Sequence, residues 1–123
     1  MRIFHILRNL EVGGMERVAV LLATEQVRRK HSVAIAEVSP AVGDCIPVAD
    51  SLRVFKAEKP PRALSPGSAF RLRRIICEFD PDVVHVHNTL ALHHTWLAST
   101  LPFRLSCFGF RLCPIVFTKH GMD

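Results

Sequence analysis

The feature that most restricts the fold is a strand, a glycine turn, a helix and a second strand within the first forty residues. Residues 2–7 are short and apolar, as a buried strand should be, and Gly13-Gly14 marks a tight turn after them. Met15, Val18, Ala19 and Leu22 then recur at i, i+3, i+4 and i+7, the stripe of an amphipathic helix. Glu16 in its first turn and Arg28, Arg29 and Lys30 in its last complement the helix dipole. Residues 32–38 read as the next strand. A helix between two strands makes them parallel neighbours, because a hairpin cannot span it.

The pattern continues. Residues 40–66 carry five prolines and one short strand candidate, 52–55. Ser65 can cap a helix with Pro66 at its first position. Leu72, Ile75, Ile76 and Phe79 repeat the helical stripe, and Asp80-Pro81 ends it. Asp80 and Asp82 read as turn residues on the edge opposite the loops. Residues 83–87 form a strand, Asn88 or Thr89 caps a helix over 90–101, and 114–118 form the last strand. Alternating strands and helices predict an α/β fold, a Rossmann-like parallel sheet with helices on both faces. At 123 residues the chain holds one domain, 1–123, around one sheet.

Composition excludes several function classes. A net charge of +5 favours an anionic partner. The basic residues sit in short groups, Arg28-Arg29-Lys30 and Arg71 to Arg74, read as solvated helix faces. No aromatics interleave with them on one face, so no nucleic-acid partner is expected. Cys45, Cys77, Cys107 and Cys113 form no CxxC pair, which reads as reduced thiols in a cytoplasmic protein. The first residues lack a secretory cleavage site. Window 96–117 is apolar but holds Arg104 and Arg111, each costing about 2.5 kcal/mol at mid-membrane, so a spanning helix is excluded. Peripheral contact at the inner membrane surface through Phe103, Arg104, Phe108, Phe110 and Arg111 stays open, beside a loop half-packed on the core.

In such sheets ligands bind beyond the carboxyl ends of the strands. Three polar loops gather there: Gly13-Gly14, His87-Asn88-Thr89 and Lys119-His120-Gly121. The glycine pair ahead of a helix permits close backbone approach by an anion, or else is a turn that needs positive φ. Its spacing fits neither GxGxxG nor GxxxxGK[ST]. His85 and His87 share a side of their strand. With His93 and His94 they suggest zinc, but no Asp, Glu or Cys stands at helical spacing to complete a site, so no metal is expected. A buried His85 and a site-facing His87 is the simpler division. His120 can hydrogen-bond a sugar hydroxyl or phosphate oxygen, or accept a proton, or be an exposed histidine near the chain end. No GxSxG elbow, Cys-His pair or two-carboxylate arrangement is present.

Four segments, RIFHILRNLEVGGMERVAVLLA, HSVAIAEV, FDPDVVHVHN and PIVFTKHG, follow one another in an order and spacing that resemble the N-terminal domain of the GT-B glycosyltransferases of family 4. The glycine usual in that family before the second-strand histidine is Lys30 here. The resemblance implies a retaining hexosyltransferase, with its active site between two Rossmann-like halves and a nucleotide-sugar as co-substrate without a further cofactor. The N-terminal half shapes the side of a glycan or lipid-linked acceptor. By position, Gly13, Gly14 and Gly121 would approach the donor phosphate and the acceptor, His87 and Asn88 would line the acceptor pocket, and His120 would be the catalytic contact to the donor hexose. The family strand order is 3-2-1-4-5. The donor-binding half is not among these residues, so the expectation is a truncated domain, inactive alone and self-associating through 115–117. The alternative is a non-catalytic nucleotide- or phosphosugar-binding module.

Overall fold

The computed structural model describes residues 1–39, 43–56, 66–100 and 114–118. Within them lie β1 (Arg2–Leu7), α1 (Gly14–Arg28), β2 (Ser32–Glu37), β3 (Arg53–Lys56), α2 (Pro66–Phe79), β4 (Val83–Val86), α3 (Thr89–Thr100) and β5 (Ile115–Phe117). The five strands form one parallel sheet in the order β3-β2-β1-β4-β5, the expected order.

Strand alternation divides the core in two. Phe4 and Ile6 of β1, Ala34 and Ala36 of β2, and Val84 and Val86 of β4 face one side, where Leu72, Ile76 and Phe79 of α2 and Ala91 and Ala98 of α3 cover them. Ile3, Leu7, Val33 and Ile35 face the other side, where Ala19, Val20 and Ala23 of α1 pack with Leu10 and Leu52. The central strands β1 and β2 are largely apolar on both faces because both faces are covered, whereas β3 and β5 are mostly exposed. The α2 stripe lies as its spacing indicates. The α1 stripe is rotated from its expected position: Ala19 and Ala23 meet the sheet, while Val18 and Leu21 are exposed. Two alanines on one face let the helix axis come close to the strands, and the bulkier residues turn outward.

Two helix ends show why local sequence gives way to geometry. The amide of Lys30 donates to the Val27 carbonyl and that of His31 to the Gln26 carbonyl, a Schellman closure of α1. Lys30 holds the left-handed position with φ 69°, where glycine costs nothing. Asp80 also holds a left-handed position, φ 52°, at the end of α2, but with the single bond of an αL cap, its amide donating to the Ile76 carbonyl; Pro81 has no N–H for a Schellman bond. Asp82 then ties the start of β1: the amide of Arg2 donates to Asp82 Oδ2 at 2.8 Å, and the amide of Asp82 donates to the Arg2 carbonyl.

Three expectations change. Arg73 is not part of a solvated face; it is buried, and its Nη1 donates to the Ala98 carbonyl at 2.9 Å, joining α2 to α3. Its long stem lets the guanidinium reach the neighbouring helix. Cys77 is disulfide-bonded rather than reduced, a pairing that spacing alone cannot reveal; Cys45 is free and exposed. The third strand begins at Arg53 because Leu52 serves as a core residue ahead of the ladder. Among the described residues no helix is long and apolar enough to cross a membrane. Ser65 and residues 101–113 lie outside the described residues.

Candidate functional site

β1 is the strand at which the order reverses. The chain leaves it towards β2 on one side and β4 lies on the other, so a crevice opens beyond the carboxyl ends of β1 and β4. Two of the three expected loops start there.

The loop after β1 is held on several sides. The buried Glu37 at the end of β2 accepts the amide of Leu10 at 3.0 Å. The amide of Ile46 donates to the Leu10 carbonyl, that of Val12 to Asp44, and that of Ser39 to Arg8. Asn9 and Glu11 bond each other, and Glu11 accepts the amide of Gly43. This bracing delivers Gly13 and Gly14 to the first turn of α1. The helix start has no side-chain cap bond, and the first-turn N–H groups have no intrahelical acceptor.

Backbone strain does not account for the glycines. Gly13 has φ −175°, extended backbone open to any residue, and Gly14 shows no left-handed φ. A Cβ on Gly14 would meet nothing within 4 Å, whereas one on Gly13 would meet Glu16 Oε2 at 2.5 Å. Gly14 therefore borders open space at the positive end of a helix, and the flexible Glu16 carboxylate sits beside its neighbour. The geometry suits a group that must come close to the backbone, an anion foremost.

In the loop after β4, one of the two expected caps is found. Asn88 is the α3 cap: its Oδ1 accepts the Ala91 amide at 2.7 Å, and it is buried. His87 is buried too, at 1% exposure, while His85 is half-buried. The anticipated division between them is thus reversed. Both do share one side of the strand, with ring centroids 4.1 Å apart. That side faces α1, and a third histidine completes the stack there. His5 of β1 lies in register with His85, and its Nδ1 is 2.9 Å from His87 Nε2. His5 Nε2 donates to Gln26 Oε1 of α1 at 2.7 Å, since that oxygen can only accept. His5 Nδ1 is then the acceptor, and His87 Nε2–H the donor.

Burial pushes the His5 imidazole down from 6.5 to about 4, with the nearby His85 adding to the fall and the Gln26 bond opposing it. His5 is neutral at pH 7. His85 Nε2 is 2.7 Å from Thr118 Oγ1, just past β5. One ligand-capable nitrogen from each of His5, His85 and His87 lies within 4.8 Å of the others. Neither His93 nor His94 takes part: His93 is exposed, and the buried His94 bonds the Leu90 carbonyl of its own helix. The contribution of His5 went unseen because it depends on pairing β1 with β4, some eighty residues apart in sequence. An H-x-H strand read beside a histidine at mid-β1 is the signal that could have shown it.

Lys119, His120 and Gly121, the third expected loop, lie outside the described residues. A cavity of about 370 Å³ on the outer flank of α1 is lined by Arg17, Val20, Leu21 and Ile46, away from the imidazole stack.

The family model described as Glycosyltransferase Family 4 matches residues 12–123. No curated protein matches the chain.

Proposed function

The chain belongs to glycosyltransferase family 4, and from that premise we propose that it forms the acceptor-side half of a GT-B enzyme moving a sugar from a nucleotide-sugar to a glycan or lipid-linked acceptor. One observation carries the reading. At the carboxyl end of the central strand, Gly14 opens α1 with free space where any other residue would place a Cβ, although no backbone strain demands glycine.

A donor diphosphate develops negative charge as the sugar leaves, and stabilising that charge is the main catalytic demand. The first-turn N–H groups of α1 and its dipole offer part of that stabilisation, provided Glu16 turns aside. Arg17, exposed one residue further on, adds a positive charge nearby. His87 and Asn88, being buried, act by fixing the loop between β4 and α3 rather than by presenting free side chains to an acceptor. His120 and Gly121 are proposed, from the family resemblance, to approach the donor hexose. The site needs no cofactor in this reading. The net charge of +5 suits an enzyme that meets a lipid-linked acceptor at an anionic membrane surface.

The test compares wild type with Gly14→Val in calorimetric titrations with uridine- and guanosine-diphosphate sugars and in a radiolabelled transfer assay. Gly14→Val is expected to weaken donor binding tenfold or more, about 1.4 kcal/mol, at unchanged melting temperature. Equal binding and transfer by the two proteins would refute the assignment. Binding without transfer to any acceptor would instead favour a non-catalytic module.

A further inference from the structure

We propose that His5, His85 and His87, which converge among the described residues, form a binding site for one zinc-class divalent cation on the α1 face of the sheet. The site goes beyond the transferase reading and does not depend on it. Its basis is the convergence of three imidazoles from two neighbouring strands, His5 and His87 buried and His85 half-buried. Three histidines with one open position form a common zinc arrangement, and imidazole suits zinc, copper and nickel over magnesium or calcium.

The outer partners favour this reading over a mere aromatic stack. Histidines that ligate a metal through one nitrogen usually hold the other against an oxygen, which sets the tautomer. His5 Nε2 is held by Gln26 Oε1 and His85 Nε2 by Thr118 Oγ1, so Nδ1 is the atom that each of these rings would offer to a metal. His87 would contribute Nε2, which already faces His5 Nδ1 at 2.9 Å. Two nitrogens on a tetrahedral zinc stand about 3.3 Å apart, so this pair opens by roughly 0.4 Å on binding. The rings, now stacked, tilt so that their lone pairs converge. Their ligand atoms need to close by no more than about 1.5 Å from their present 4.8 Å limit.

Among the described residues no acidic side chain belongs to the cluster, so a bound ion would make the α1 face of the sheet locally electropositive. His5 precedes the residues matched by the family model, while His85 and His87 fall within them.

The experiment is a titration of the chelator-stripped 123-residue chain with Zn²⁺ by calorimetry and with Co²⁺ by visible spectroscopy. One saturable equivalent is expected, with cobalt ligand-field bands of tetrahedral intensity and no thiolate-to-cobalt charge-transfer band. Gln26→Leu, which removes a positioning residue and no ligand, should weaken binding 10–100-fold. His85→Gln, at the half-buried position, should weaken it by more than that and carries the test if His5→Gln or His87→Gln fails to fold. No saturable equivalent in wild type, a thiolate band, or unchanged affinity in His85→Gln would each overturn the site.

Discussion

The burial of a neutral histidine at mid-strand ties the stability of this sheet to pH. His5 titrates at about 4 in the folded chain and at 6.5 when free in water. Because the folded value is the lower one, the unfolded chain takes up the proton first. The stability that depends on neutral His5 is therefore complete above pH 6.5 and is lost as pH falls through about 4. Each pH unit in this interval costs about 1.4 kcal/mol, and the loss from pH 7 to pH 4 comes to about 3 kcal/mol. The perturbation is His5→Gln, which keeps a polar group beside Gln26 and His87 but cannot titrate. Urea denaturation across pH 4 to 7, with a chelator present, gives the free energy of unfolding for both proteins. Gln will lower the absolute value at every pH, so the comparison rests on slope: wild type should fall about 3 kcal/mol further than the variant. His85, which faces His5 from β4, is present in both proteins, so the comparison isolates His5. Parallel curves would refute the claim that His5 is buried neutral.

Two further outcomes test the backbone and the sheet edge. Lys30→Gly relieves a left-handed residue in the Schellman closure of α1 and should raise stability by about 1 kcal/mol, measured by thermal denaturation; a loss of stability would show that the Lys30 side chain matters more than its φ. The described sheet ends on β5, whose Ile115, Val116 and Phe117 are all exposed, so wild type should self-associate and Val116→Lys should shift sedimentation toward monomer; a wild-type monomer at all concentrations would dismiss edge pairing.

β1 and β2 were legible because they are largely apolar on both faces, as a doubly covered sheet demands, and β4 because Val84 and Val86 line one of its faces. The α2 stripe was legible for a similar reason, since Leu72, Ile76 and Phe79 have no other way to leave water. α1 was harder. It is apolar most of the way round, and only close packing against β1 and β2 selects Ala19 and Ala23 over Val18 and Leu21 as the inner face. Arg73 shows the same limit from the polar side, because nothing in RLRR distinguishes the arginine that reaches α3 from those in solvent. Gly13-Gly14 could be found from sequence, but its meaning could not: whether a glycine is there for φ or for space depends on what surrounds it. The bond between His5 and His87 depends on strand register, which pairwise spacing along the chain does not contain. His120 and Gly121 rest on the family resemblance alone.

The reversal of strand order at β1 also orders events in time. Arg2 meets Ser32 thirty residues on, while His5 meets His85 eighty residues on, so the second pairing closes a much longer loop. The difference costs about 0.9 kcal/mol in chain entropy and favours early assembly of β1, α1 and β2, with β4 arriving later. The imidazole stack lies across that seam, between an element that nucleates and one that docks. Contacts made late in folding act chiefly on the rate of unfolding. A ligand gripping all three rings would hold the seam shut, prolonging the lifetime of the assembled sheet while leaving the speed of its assembly almost untouched.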